Sequence, residues 1–386
     1  MSHPSLFRSM FIGGYECSSH RRADGRRLDL IAATGHDRNV NADYSQLTAC
    51  GIRTVRDGLR WHLIEKAPGS YDWSSFLPML RSARQHGIQV IWDLCHYGYP
   101  DGVDIWSPAF VDRFARFAGE AARIVREETG EVPFYCPVNE ISFWAWAGGD
   151  VAEFNPTAKG RGSELKRQLV RAAIAGTAAV RDVEPRARIA FCEPAIHVRT
   201  KWEQDPEHEA AERYRLAQYE TYDMLTGRMA PELGGNPDVL DIVGVNYYSF
   251  NQWYYGGGFI PMGHHHFRPF SDMLAEIHQR YQRPLFVAET GAEHSPRAPW
   301  LQYVCGEVRE AMQRGVPVHG ICLYPIVNYP GWENERLCEV GLFRELAGGV
   351  QGPRHVVADY MAEFERQRGL FGDSVARTAA ELALIL

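Results

Sequence analysis

Phe134-Tyr135-Cys136-Pro137-Val138-Asn139-Glu140 is a short apolar run that ends on an amide and an acid, and Leu285-Phe286-Val287-Ala288-Glu289-Thr290-Gly291 has the same form far downstream. A run of four to eight apolar and β-branched residues, closed by turn-forming residues, suits a strand covered on both faces. Each run therefore predicts a buried strand with a glutamate at its C-terminal end. Working outward, strands of this kind are expected at residues 11–14, 54–56, 89–94, 134–138, 189–192, 242–245, 285–288 and 320–323. Helical periodicity fills the gaps between them, at residues 74–86, 108–129, 165–183, 208–225, 270–281 and 300–314. Gly51, Gly87 and Gly315 stand where left-handed caps would end helices. Pro137 weakens a central strand but is tolerated near a strand end. Eight alternations of strand and helix point to an α/β fold, a single (β/α)8 barrel domain over residues 1–386.

The totals narrow the function. The chain has 386 residues, 45% of them hydrophobic, enough to bury a large core. A net charge of −7 argues against nucleic acid or an anionic membrane as the main partner. Residues 1–10 show no apolar leader segment and no run of 18 apolar residues occurs, so a cytoplasmic location is expected. The eight cysteines include no Cys-x-x-Cys pair and are expected as buried small hydrophobes in a reducing compartment. Residues 249–269, rich in Gly, His and aromatics, read as a long loop that could serve as a lid or binding loop. The tail from about residue 374 reads as a terminal helix that packs on the barrel or on a second copy, so a homo-oligomer stays open.

In a (β/α)8 barrel the site lies at the C-terminal mouth. The residues just past the eight strands are Glu16, Asp57 beside Arg56, His96, Asn139-Glu140, Glu193, Asn246-Tyr247, Glu289, and Tyr324 with Trp332 beyond it. They describe a polar pocket with aromatic walls, which suits a sugar. Two carboxylates on different strands can converge on one bond, one protonating the leaving oxygen and the other attacking the sugar.

The motifs in order resemble those of the retaining (β/α)8 glycosidase clan, and most closely glycoside hydrolase family 1, the β-glucosidase family. Phe11-Ile12-Gly13-Gly14 is similar to the family's F-x-W-G, and Val55-Arg56 with Trp61 to its R-F-S-x-S-W. Pro68-Gly69-Ser70-Tyr71-Asp72-Trp73 resembles P-G-x-Y-D-W, and Cys95-His96-Tyr97-Gly98-Tyr99-Pro100 resembles Y-H-W-D-x-P. Val138-Asn139-Glu140 resembles T-x-N-E-P, Gly244-Val245-Asn246-Tyr247-Tyr248 resembles G-x-N-Y-Y, and Val287-Ala288-Glu289-Thr290-Gly291 resembles T-E-N-G. The resemblance implies Glu289 as nucleophile and Glu140 as acid/base in the cleavage of a β-linked glycoside, with no cofactor and no metal. It further implies Arg56 as the cation beside Glu289, Tyr247 as a hydrogen-bond donor to Glu289, and Asn139 on the sugar 2-hydroxyl. His96 would meet another hydroxyl, Trp332 would be a stacking platform, and Asn246, Tyr324 and Glu16 would complete the substrate site.

Three departures bear on the sugar. The family's sugar-holding Gln falls near Arg21. The Glu that holds the 4- and 6-hydroxyls in D-N-F-E-W becomes Gly331, and Ile141 replaces the Pro after the acid/base. A rebuilt pocket is expected, with weak activity on simple β-glucosides. A catalytically quiet sugar-binding barrel therefore remains an alternative, as does a metal-dependent sugar isomerase using Glu140, Glu193 and Glu289. His264-His265-His266 is not expected to form a metal site, on the ground that consecutive residues do not converge.

Overall fold

The computed structural model describes residues 6–346 and 351–372. The expected tail helix lies outside the described residues. Eight strands form the barrel: β1 Phe11–Gly14, β2 Thr54–Gly58, β3 Gln89–Asp93, β4 Phe134–Cys136, β5 Arg188–Pro194, β6 Ile242–Asn246, β7 Leu285–Thr290 and β8 Val318–Leu323. They close in the order β1-β8-β7-β6-β5-β4-β3-β2, and every neighbouring pair is parallel. The (β/α)8 fold is thus the one expected. Pro137 falls just past β4, where its missing N–H costs no ladder bond.

Alternation along the strands sorts side chains into two layers. Ile12, Ile91, Phe134, Cys136, Ala190, Cys192, Ile242, Phe286, Ala288 and Cys322 fill the barrel interior. Phe7 closes its N-terminal end, its ring centroid 5.6 Å from Phe134 and 5.3 Å from Phe286. Val55, Trp92, Tyr135, Ile189, Val243, Val245, Leu285, Val287 and Ile321 point the other way, into the layer shared with the helices. All eight cysteines are buried and none forms a disulfide, as expected of small apolar groups. No helix among the described residues is long and apolar enough to cross a membrane.

The longer helices are α1 His36–Ala49, α2 Leu77–Gln85, α3 Pro108–Thr129, α4 Gly162–Val183, α5 His208–Leu216, α6 Phe270–Tyr281, α7 Arg297–Gln313 and α8 Ala358–Leu370. In α3 the sequence rules act openly. Pro108 opens the first turn, Phe110, Phe114, Phe117, Ala121 and Val125 form the buried stripe, and Gly130 ends it at φ 67°. The run expected as one helix over 208–225 is broken: after α5 come a 3₁₀ turn, Ala217–Tyr219, and a short helix, Glu220–Leu225. Nor is the loop over 249–269 wholly irregular. Gln252–Tyr254 pairs in parallel with His197–Arg199 and makes a two-stranded rim.

Candidate active site

Arg56 is the hub of the barrel mouth. It projects inward from β2 and is fully buried. Its Nε and Nη2 donate to the two carboxylate oxygens of Asp93 at 3.1 and 2.8 Å. Nη2 also donates to Asn139 Oδ1 at 2.6 Å, and Nη1 to Ala288 O at 3.1 Å and Glu289 Oε1 at 2.7 Å. All five guanidinium N–H groups are therefore used. Burial opposes the charge, but Asp93 and Glu289 outweigh it and hold Arg56 firmly protonated.

Glu289 reaches this hub through an irregularity. Ala288 faces the barrel interior, so strict alternation would turn Glu289 outward. The pairing of β7 with β6 shifts register between Val287 and Glu289, and such a bulge re-aims the side chain. Glu289 Oε2 then accepts from Tyr248 Oη at 2.9 Å. The expected partner, Tyr247, is corrected here. Asn246 and Tyr248 share one face of the β6 end and Tyr247 takes the other. Tyr247 is stacked on Phe270 at 4.0 Å, and its hydroxyl accepts from Gln252. Only its backbone N–H meets Glu289, at the carbonyl, 2.9 Å away.

Glu140 sits in the left-handed region, φ 41° and ψ 60°, at the cap of the short helix Ile141–Trp144. For a residue with a Cβ this conformation is strained, and such strain gathers at functional sites. Asn246 Nδ2 donates to Glu140 Oε1 at 2.8 Å, and Tyr97 Oη donates to Oε2 at 2.6 Å. Burial first, and then the charge of Glu289, push the Glu140 carboxyl up to about 8. Asn246, expected on substrate, thus holds Glu140 instead, while its Oδ1 is buried without a protein partner. Tyr97 lay inside a recognised motif but carried no expected role. Glu193 holds the same corner from below. Its carboxylate accepts from the Ser142 N–H at 3.1 Å and from the Ser142 hydroxyl, and burial pushes it up to about 7.

Asn139 joins the two carboxylates' supports. With Oδ1 committed to Arg56, its Nδ2 donates to Tyr97 Oη at 3.0 Å and to His96 Nε2 at 3.1 Å. His96 Nδ1 then carries the proton, 3.0 Å from Asp93 Oδ2. Burial resists a charge on His96, but Asp93, Glu16 and Glu289 favour one and raise it. Protonating Nε2 would break its contact with Asn139. Asp57, next to the hub on β2, faces outward and meets His36 and Tyr44 rather than the mouth.

An aromatic cage forms the far wall. Trp332 lies 4.6 Å edge-on to His20 and 5.8 Å from Tyr97, with Phe154 and Phe143 beyond. Tyr324 lies parallel to His96 at 6.2 Å and beneath Arg56 at 5.3 Å. It fits only because β1 ends on glycine: a Cβ on Gly14 would lie 2.3 Å from the Tyr324 ring. The sequence placed Arg21 at the first recognition position. Arg21 instead pairs with Asp101 on the rim, and His20 occupies the cage. Tyr248, Tyr97, His20 and Asp93 are the site residues that sequence reasoning missed.

The histidine triplet also needs correcting on geometry. A turn closed by the Phe267 N–H on His264 O folds the three rings together, and a ring nitrogen from each lies within 4.8 Å of the others. Tyr254 Oη contacts His266 Nδ1 at 3.0 Å, and the His266 N–H takes His264 Nδ1 at 3.1 Å.

No family model matches the sequence, and no curated protein matches it. Among solved structures the chain is similar to a family 1 β-glucosidase from Thermotoga maritima, at TM-score 0.76 and 15% identity, over 97% of this chain and 99% of the other. The same enzyme's complex with glucoimidazole gives TM-score 0.77 and 13% identity, over 96% and 99%. A hyperthermophilic β-glucosidase mutant that forms a dodecamer in the crystal gives 0.73 and 15%, over 92% and 99%. At these identities the likeness shows a shared fold.

Proposed function

We propose that this barrel is a retaining glycoside hydrolase that acts on a β-linked glycoside, with Glu289 as nucleophile and Glu140 as acid/base. One observation carries the reading: of two buried glutamates in one hydrogen-bonded network, one is paired with a buried cation and the other is not. Glu289 Oε1 accepts from Arg56 Nη1 at 2.7 Å, a cation that has no spare donor. Glu140 has no cation within salt-bridge distance among the described residues and is raised by burial and by Glu289 itself. That division matches the two tasks of the reaction. The likeness to β-glucosidase structures agrees with it.

In the first step Glu140 gives its proton to the glycosidic oxygen while a Glu289 oxygen bonds to the anomeric carbon. The aglycone departs as the neutral alcohol and a glycosyl ester remains. In the second, Glu140, now a carboxylate, takes a proton from water. That water displaces Glu289, and the sugar leaves with its original configuration. A carboxyl separation of about 5–5.5 Å belongs to this route; about 6.5 Å or more would belong to inversion. Asn139, His96, Tyr324 and Trp332 face the sugar in this reading.

The test uses aryl glycosides with a good leaving group. Glu140→Ala should still form the glycosyl ester, and azide should restore turnover to give a product of retained configuration. Glu289→Ala with azide should give the inverted product. Exchanged outcomes would exchange the roles, and two fully active variants would remove the site from consideration.

A further inference from the structure

Glu16 is a buried carboxyl with no place in the two-step reaction above. Alternation along β1 turns Gly14 inward toward Tyr324, Tyr15 outward onto His36, and Glu16 inward again. Only 6% of Glu16 is exposed, and one oxygen accepts the Ser18 N–H at 3.0 Å. Among the described residues no Lys, Arg or His nitrogen comes within salt-bridge distance of it. A buried carboxylate without a cation is costly unless something else supplies donors.

Its position indicates what those donors are. In the closed strand order β1 lies three strands from β4 and pairs directly with β8, so Glu16 stands on the Tyr324 side of the mouth, away from Glu140. Its charge is the strongest neighbouring charge acting on the hydroxyls of Tyr324 and Tyr329. It is also felt at Cys338, whose sulfur stands 3.3 Å from where a Cβ on Gly331 would lie. Glu16 thus stands beside the strand that leads into Tyr324, the segment that runs on to Tyr329 and Gly331. In the aromatic wall, Tyr324 Oη, Trp332 Nε1 and His20 Nδ1 are buried polar atoms with no protein partner. Buried polar groups are rarely left unbonded, so a ligand or ordered water completes them.

We propose that Glu16 is a specificity-determining residue that accepts hydrogen bonds from hydroxyls on the sugar edge remote from the glycosidic bond and excludes sugars with an acidic group there. The proposal rests on the glycosidase reading for the orientation of the sugar. An acidic substituent would meet Glu16, and His96, the cation that acts on Glu16, already has Nδ1 on Asp93 and Nε2 on Asn139. Arg56 has no N–H to spare, and Arg21 and Arg27 are both engaged by Asp101. His20, lowered by burial to about 3, is neutral. The substrate class is therefore an uncharged sugar, not a uronide or a sugar phosphate.

The experiment measures binding of two thioglycosides that resist cleavage, phenyl 1-thio-β-glucoside and phenyl 1-thio-β-glucuronide, by calorimetry on the full chain. The unaltered protein should bind the glucoside at least about 100-fold more tightly, given like charges a few ångströms apart in a poorly screened site. Glu16→Gln keeps the shape and removes the charge. It should weaken the glucoside about 10- to 100-fold, the effect of losing charged hydrogen bonds, and narrow the ratio about tenfold or more. The ratio is internal to folded molecules, so partial misfolding leaves it readable. Tyr324→Phe keeps the charge and should leave the ratio unchanged. Equal binding of the two sugars, binding of neither, an unmoved ratio in Glu16→Gln, or an equal shift in Tyr324→Phe would each overturn the proposal. Binding that depends on Glu16, without turnover of any β-glycoside, would instead sink the hydrolase reading and leave Glu16 in place.

Discussion

Neighbours on one strand, Arg56 and Asp57, anchor two buried charge clusters that differ in kind. Arg56 turns into the barrel mouth. Asp57 turns outward beneath α1, where His36 bridges Asp43 and Asp57 at 2.7 and 2.8 Å and Arg354 grips Asp43 at 2.7 Å. Tyr44 adds a hydroxyl to Asp57 at 2.7 Å. Both clusters combine an arginine, a histidine and carboxylates away from water. In the outer cluster every carboxylate has a cation or an N–H, and burial of His36 is overcome by Asp57 and Asp43, which raise it to about 9. In the mouth, one carboxyl is raised by burial while another is paired with Arg56, and several polar atoms have no protein partner. Buried charge alone therefore marks structure. Two close carboxyls with unequal partners mark a site; an unbonded buried polar atom does not by itself, since Arg354 Nη1 in the outer cluster is one too.

The largest effect should divide the clusters by activity. Glu289→Ala should lower turnover on the order of 10⁴-fold or more while the fold persists. Asp43→Asn should destabilise the outer cluster by about 3–5 kcal/mol, the cost of breaking a buried pair, and leave kcat of the folded enzyme unchanged. Denaturant melts and steady-state rates read the two. The same cluster predicts a pH slope. The folded value of His36 lies above its unfolded one, so its contribution is complete below about pH 6.5 and is lost as pH rises through about 9, to the extent of about 3 kcal/mol at most. His36→Gln should abolish that slope in thermal melts, and an unchanged slope would refute a charged His36.

Glu140 gives a pH slope of the same sign, as a cost rather than a contribution. Its folded value is raised, so it is destabilising from about pH 4.5 upward, the more so toward about 8. Glu140→Gln should remove the alkaline fall of kcat/KM near pH 8 together with most of the rate. It should also stabilise the protein at pH 8 by about 1–3 kcal/mol, discounted for water in the pocket. The finest distinction lies between adjacent tyrosines. Tyr248→Phe should cost about tenfold in kcat, one hydrogen bond to a charged group, whereas Tyr247→Phe should change kcat less than about twofold. Equal effects would erase the inward–outward assignment at the end of β6.

The barrel was legible because buried parallel strands leave unbroken apolar runs, and α3 because its stripe keeps a helical period. By contrast, α1 did not stand out. It buries His36, Asn39, Asp43 and Gln46 on its inner side, so polarity and burial part company. The pair Glu140 and Glu289 was legible from strand-end position and motif. Tyr248 was not, because choosing it over Tyr247 needs the facing of β6, and nothing in Asn-Tyr-Tyr states which ring turns inward. His20 was hidden by Arg21 for a similar reason: one residue's offset past β1 decides which side chain enters the cage. The approach of the three histidine rings was not legible because a tight turn can gather consecutive rings that an extended chain would splay.

The end of β6 supports both glutamates at once, Asn246 on Glu140 and Tyr248 on Glu289, from positions two apart. Tolerance to change should be lopsided there. The outward Tyr247 can be exchanged for another ring, and natural drift or a library could sample it freely. A single inserted or deleted residue between Gly244 and Tyr248 would swap the faces and strip the two glutamates of their partners in one event. Gene length across these few codons should thus be more constrained than their spelling.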